Sequence, residues 1–142
     1  PIWIGGGVAH SPRSEKNYEK KINKKMARRA LYTVLSAKAR DRQIIVLDEM
    51  RFSEAKTRHA AGMFKRFSGK DEFTKIATGN GALVALSGKD AMARRALRNL
   101  PFVAVSEARN LNAYILLQHK FLVIPKDAVA IIVGTKLSSA RA

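Results

Sequence analysis

Apolar residues recur at helical spacing in the stretch that begins near Asn23. In NKKMARRALYTVLSAKAR, Ala27, Leu31, Val34 and Leu35 fall on one face, while Lys24, Lys25, Arg28 and Arg29 begin the other. That spacing predicts a basic amphipathic helix. Downstream the period gives way to four short apolar runs: Gln43 to Leu47 (QIIVL), Ala82 to Leu86 (ALVAL), Phe102 to Val105 (FVAV) and Phe121 to Ile124 (FLVI). Runs this short, without polar alternation, are the pattern of strands buried on both faces. The intervals between them are long enough for crossover helices. DAMARRALRNL sets Met92, Ala93, Ala96, Leu97 and Leu100 on one face and Arg94, Arg95 and Arg98 on the other, with a weaker helical pattern over Thr57 to Phe67 and a short one over Asn112 to Gln118. Lys126 to Val133 reads as helix or strand by pattern, but Pro125 ends the preceding run and Asp127 suits a first helical turn, so a helix is predicted.

Helices alternating with buried strands imply an α/β fold, a mostly parallel open sheet with flanking helices and Rossmann-like layering, because parallel neighbours require crossover connections. Phe67 to Gly81, with Gly69, Gly79 and Gly81, is the main internal loop expected. The opening PIWIGGGVAHSPRSEKNYEK holds no helical or alternating period. The expected organisation is therefore an extended basic loop over residues 1–20 and one globular α/β domain over 21–142, with no repeats and no low-complexity tract.

Charge sharpens this picture. The 142 residues carry 27 Lys and Arg against 11 Asp and Glu, a formal net charge of +16, with a sequence pI near 10.7. A hydrophobic share of 46% is enough to build a core, which excludes a wholly disordered basic tail. The excess is uneven: residues 1–40 hold 10 basic and 2 acidic side chains, so half of it sits in the first 28% of the chain. The longest apolar runs are about five or six residues, far short of the ~18 to 20 that a membrane-spanning helix needs. The absence of cysteine excludes disulfides, thiolate metal sites and thiol nucleophiles. His10, His59 and His119 lie far apart and make no local metal motif, so neither a metal nor a cofactor is expected.

An open parallel sheet invites comparison with nucleotide enzymes, whose ligands sit beyond the carboxyl ends of the strands. A phosphate loop needs Gly, four residues, then Gly-Lys-Ser/Thr; around Ser87-Gly88-Lys89-Asp90 the first Gly is replaced by Leu83 and the hydroxyl by Asp90. Gly79-Asn80-Gly81 precedes its strand where a dinucleotide fingerprint follows one, and Val84 stands at the third Gly. The two segments read as a helix start and a turn. The acidic pairs Asp48/Glu49 and Asp71/Glu72 follow a strand or lie in a polar loop, where nothing crowds or buries them enough for acid–base work. A nucleotide- or small-molecule-binding enzyme, with a site near Asp48, Ser87 to Asp90 and Glu107, is the alternative reading; no catalytic residue is assigned.

The strongest chemical signal is cationic. Arg13, Lys16, Lys20, Lys21, Lys24, Lys25, Arg28 and Arg29 form the densest group, and Arg51, Lys56 and Arg58 a second one after the first strand. Spaced cations suit a polyphosphate, since each neutralised phosphate releases counterion; the alternative is a solvated helix face. Trp3 lies in a glycine-rich segment with little local core to join, and its indole either stacks on a base, packs on an RNA backbone or folds back on the domain. Gly5, Gly6 and Gly7 let the backbone approach another surface closely or make a tight turn. A membrane-surface role suits the first helix poorly, because its apolar face has no Trp or Phe and a core is available to bury it.

Taken in order and spacing, PIWIGGGVAHSPR, NKKMARRALYTVLSAKA, IIVLDE and RNLNAYILLQHKFLVIPKDAV resemble ribosomal protein four of the large subunit in its bacterial form, over nearly the whole chain. The most specific pieces are Pro1-Ile2-Trp3 with the glycine triplet, Asn23-Lys24-Lys25-Met26, Leu35-Ser36-Ala37-Lys38, and Leu111-Asn112 through Tyr114 to Lys126-Asp127-Ala128. The resemblance implies a non-enzymatic ribosomal protein whose α/β domain sits on the solvent side of the large subunit. A long basic loop would run through ribosomal RNA toward the peptide exit tunnel. It implies large-subunit ribosomal RNA and neighbouring ribosomal proteins as partners, early binding in assembly, a place on a cytoplasmic or organellar ribosome, and neither membrane nor homo-oligomer. Pro1 to Arg13 would be the returning limb of the loop and Lys20 to Arg29 its base. The family's initial strand, helix and loop tip would lie upstream of Pro1, leaving the sheet short of at least one strand. Ile4 departs from the basic residue the family places after the Trp, and Ser11-Pro12-Arg13 matches its Gly/Ala-Pro-Arg/Lys pattern only loosely. Some members repress their own operon.

Overall fold

The computed structural model describes residues 2–7, 12–79, 81–88 and 90–134. Pro1, His10, Ser11, Asn80 and Lys89, all considered above, lie outside them. Four strands, β1 (Ile44–Leu47), β2 (Ala82–Leu86), β3 (Val103–Glu107) and β4 (Phe121–Pro125), form one sheet in the order β1-β4-β2-β3, every pair parallel. Among the described residues there are five α-helices: α1 (Lys24–Arg40) precedes β1, α2 (Thr57–Ser68), α3 (Ala91–Leu97) and α4 (Ala113–Gln118) connect successive strands, and α5 (Lys126–Val133) follows β4. The expected α/β layering is the observed one. The chain lays down β1, crosses to β2 and β3, and returns to insert β4 between β1 and β2, so the two central strands are buried throughout.

Alternation along the central strands feeds two cores. Val84 and Val123 face α2 and α3, packing with Ala60, Phe64, Ile76, Ala93, Leu97 and Phe121. Leu83, Ala85, Leu122 and Ile124 face the other layer, where Leu116, Ala128 and, from α1, Leu31, Val34 and Leu35 cover them. Burying Phe64 and Phe121 contributes on the order of 2 to 3 kcal/mol each. β1 is an edge strand, and its Val46 is 54% exposed.

The structure revises several boundaries and one larger expectation. Phe67 to Gly81 is not simply a loop: Asp71–Ala77 forms 3-10 turns that bury Ile76 completely and set Phe73 edge-on to Phe121 with ring centroids 5.6 Å apart. Two apolar anchors, rather than any helical period, hold this segment down. Ala27 does not join the core face of α1; residues 24–30 are all exposed and packing begins at Leu31, because the helix outreaches the sheet it covers. Met92 is likewise exposed, and Leu100 packs from beyond the end of α3. β1 starts one residue later than expected, β3 is shifted to end at Glu107, and β4 includes Pro125. Lys126–Val133 is helical, ending on Gly134 in the left-handed region at φ 77°. Asp90 starts α3 as an N-cap, its carboxylate accepting from the Met92 and Ala93 amides at 3.0 Å each.

Lys38 carries weight that its sequence position does not announce. Its side chain lies buried at the end of α1, and Nζ donates to the carbonyls of His119 (2.7 Å) and Lys120 (2.9 Å), just ahead of β4. The adjoining backbone continues the tie: Gln43 donates to the Lys38 carbonyl at 2.8 Å, and Leu122 to the Gln43 carbonyl at 2.9 Å. Between them Arg42 turns the chain at φ 54° and pairs with Glu72 at 2.8 Å. The carboxyl end of α1 is therefore fixed to the amino end of the sheet, and its basic amino end projects the opposite way.

Candidate nucleic-acid interface

The described residues among the first 30 define a surface with little domain behind it. The described part of this segment is irregular up to Asn23, after which α1 begins. Within it a turn closed by the Gly6 amide on the Trp3 carbonyl (2.9 Å) uses Gly5 at φ 80°, a conformation that disfavours any side chain. Trp3 is 81% exposed between the exposed Ile2 and Ile4, so the indole does not fold back on the domain. Tyr18 is 74% exposed and carries the Lys16 ammonium 5.2 Å from its ring centroid. Ile22 and Met26 continue the exposed apolar series beside Lys20, Lys21, Lys24 and Lys25. Tyr18 was not singled out from sequence; an aromatic embedded among cations was the available signal.

The pairing of the cations separates the two basic groups. Among the described residues, Arg13, Lys16, Lys20, Lys21, Lys24, Lys25 and Arg29 form no ion pair and are exposed. Arg28 is engaged: Nη2 donates to the Val133 carbonyl at 3.0 Å and Nε to the Tyr32 hydroxyl oxygen at 2.8 Å. In the second group Arg51 pairs with Glu49 (3.3 Å) and Lys56 with Glu54 (2.7 Å), which cancels much of their field. Arg58 is exposed beside His59, Met63 and Arg66 on an open groove. No hydrogen bond or ion pair joins the two groups among the described residues.

The carboxyl ends of the strands, where an enzyme site was considered, offer little. Asp48 pairs with Lys126, whose hydrogen bond and charge hold the carboxyl below its ordinary range while the lysine is pushed up in turn. Glu107 pairs with Arg109 at 2.7 Å, and Asp90 is spent on its helix cap. The hollow lined by Leu86, Asp90, Arg94, Ser106 and Glu107 measures about 150 Å³, below the ~300 to 1,000 Å³ usual for a ligand pocket. Among the described residues no group of His, Asp and Glu is arranged to hold a metal ion.

The class defined by this fold is a parallel α/β domain that carries its exposed cations and aromatic side chains on a peripheral limb. The chain belongs to the ribosomal protein L4/L1 family, whose model matches residues 1–135. It is 33% identical over 132 residues to the large ribosomal subunit protein uL4 of Natranaerobius thermophilus, covering 93% of this chain and 59% of that protein. The corresponding protein of Desulforudis audaxviator is 36% identical over 130 residues, 92% of this chain and 58% of the relative. That of Helicobacter hepaticus is 33% identical over 136 residues, 96% and 61%. The chain thus spans about three fifths of the length of these curated relatives.

Proposed function

We propose that this protein is a structural, non-enzymatic component of the large ribosomal subunit that binds its RNA through the limb formed by residues 2–30 and supports subunit assembly. The observation that carries this reading is the state of that limb. Among the described residues, cations that form no ion pair are interspersed with exposed Trp3, Tyr18, Ile22 and Met26, with almost no core contact of their own. Exposed aromatic and aliphatic groups in water gain from a partner that offers stacking faces, and unpaired lysines gain from phosphates; irregular RNA offers both. The α/β domain anchors the limb. The family relatives bearing the name large ribosomal subunit protein support the same assignment. Its partners are then large-subunit ribosomal RNA and neighbouring ribosomal proteins, and its place is the ribosome, in the cytoplasm or an organelle. The reading calls for no homo-oligomer. Among the described residues no helix is long and apolar enough to cross a membrane.

The test is a salt series of binding to in vitro transcribed large-subunit ribosomal RNA with transfer RNA as competitor. Engaging about six phosphates on irregular RNA gives a slope of log affinity against log salt of roughly −4. Replacing Lys24, Lys25 and Arg29 together by Ala should bring the slope to about −2 with the fold intact. An unchanged slope would remove this face from the interface. Loss of preference over transfer RNA would reduce the role to general polyanion binding.

A further inference from the structure

We infer that Arg28 is a positioning residue for the RNA-binding limb, seated on the carboxyl end of α5 so as to aim Lys24, Lys25 and Arg29, and is not itself a phosphate ligand. The inference rests on the RNA-binding reading above and assigns one of its cations a different task.

Residues 24–30 project beyond the core, every side chain exposed. Among the described residues, Arg28 supplies the hydrogen bond that ties this stretch to another element. Its seat has three parts. Nη2 donates to the Val133 carbonyl at 3.0 Å, at the end of α5 where unsatisfied carbonyls and the negative pole of the helix favour a cation. Nε donates to the Tyr32 hydroxyl oxygen at 2.8 Å, the guanidinium lies 5.4 Å from that ring's centroid, and the hydroxyl reaches the Ile132 carbonyl at 3.4 Å. Gly134 adjoins it: a Cβ there would lie 2.9 Å from Nη2, so the guanidinium would have to shift off its seat, and the backbone at φ 77° itself favours glycine. Phosphate recognition by arginine works best through two parallel N–H groups on one edge. Here the edge formed by Nε and Nη2 is already taken inside the protein. Lys24, Lys25 and Arg29 have no such partners among the described residues, and Arg28 holds the turn that presents them.

Tyr32→Phe separates positioning from charge, because it removes the bridging hydroxyl and leaves every cation in place. Two measurements on the full 142-residue chain decide the matter: hydrogen exchange at the amides of residues 28–31 without RNA, and affinity and salt slope for the large-subunit ribosomal RNA transcript. Both Arg28→Ala and Tyr32→Phe should speed exchange there. Arg28→Ala should weaken binding about fivefold and Tyr32→Phe about twofold, with the wild-type slope retained, since lost preorganisation costs affinity without removing a phosphate contact. The double variant should bind no more weakly than Arg28→Ala alone, as expected for two parts of one tie. Gly134→Ala should reproduce the faster exchange. If Arg28→Ala lowers the slope by about 0.7 while Tyr32→Phe changes neither affinity nor exchange, Arg28 is a phosphate ligand and the inference is overturned. Unchanged exchange in both variants overturns it as well. Faster exchange in the variants, together with a wild-type chain that never prefers the ribosomal transcript, instead sinks the RNA-binding reading, and the seat then serves stability alone.

Discussion

Lys38 is the side chain whose removal says most about how the domain is held. Lys38→Met keeps the aliphatic stem that packs at the end of α1 and deletes the ammonium that donates to the His119 and Lys120 carbonyls. Two effects oppose each other. Charge-assisted hydrogen bonds are worth about 1.5 to 3 kcal/mol, and the abandoned carbonyls lose their donor; relief from burying the charge offsets part of this. A net loss of about 2 kcal/mol follows, which for a chain of this size lowers the melting temperature by roughly 4 to 8 °C. The pH dependence gives a sharper check. Burial pushes the Lys38 amine below its ordinary value of 10.5, with the Asp41 charge opposing. Between the folded and unfolded pKa the unfolded chain holds the proton that the folded chain has released, so stability from this group rises with pH. Wild type should therefore gain on Lys38→Met as pH climbs toward 10.5. Urea unfolding of both proteins at neutral pH and from about pH 9 upward measures the gap. A variant as stable as wild type, or a gap that narrows with pH, would refute the reasoning; narrowing would mean that the carbonyls favour the charged amine more than burial penalises it.

Trp3→Ala should leave the melting temperature unchanged, since the indole is 81% exposed, and lower affinity for the ribosomal RNA transcript about tenfold through loss of stacking. A fall in melting temperature without a fall in affinity would place the indole on the domain instead. Gly81→Ala should destabilise the domain by about 3 kcal/mol, because a Cβ would collide with the Ile76 carbonyl and no side chain can move aside. Equilibrium unfolding checks this, and a loss below about 1 kcal/mol would show that the backbone there gives way.

Local pattern accounts for most of the fold. The apolar runs at 43–47, 82–86, 102–105 and 121–124 mark the four strands within two residues, because a strand buried on both faces cannot admit polar side chains. Pro125 and Asp127 settle α5 against a strand reading of AVAIIV, and Asp90 marks the start of α3. The family resemblance was legible from ordered short motifs, and the cationic excess of the first 40 residues was a matter of counting. All of these are properties of neighbours in the chain.

Local pattern thus carries the alternation of elements, the parallel sheet it requires, and a basic limb ahead of it. Packing in three dimensions selects which side chains those elements use against each other. Only the length of α1 relative to the sheet exposes Ala27 and the turns around it, and only the return of β4 to the centre of the sheet brings the His119 and Lys120 carbonyls over Lys38. Arg28 looks like its neighbours Lys25 and Arg29 in sequence, yet among the described residues it is the one of the three that meets the end of a helix more than 100 residues away, beside Gly134. Phe73 and Ile76 sit in a stretch with no period, and burial against Phe121 gives them their turn. A charge or an apolar group announces its chemistry locally. Its partner is fixed by packing across the chain, which spacing along the chain does not encode.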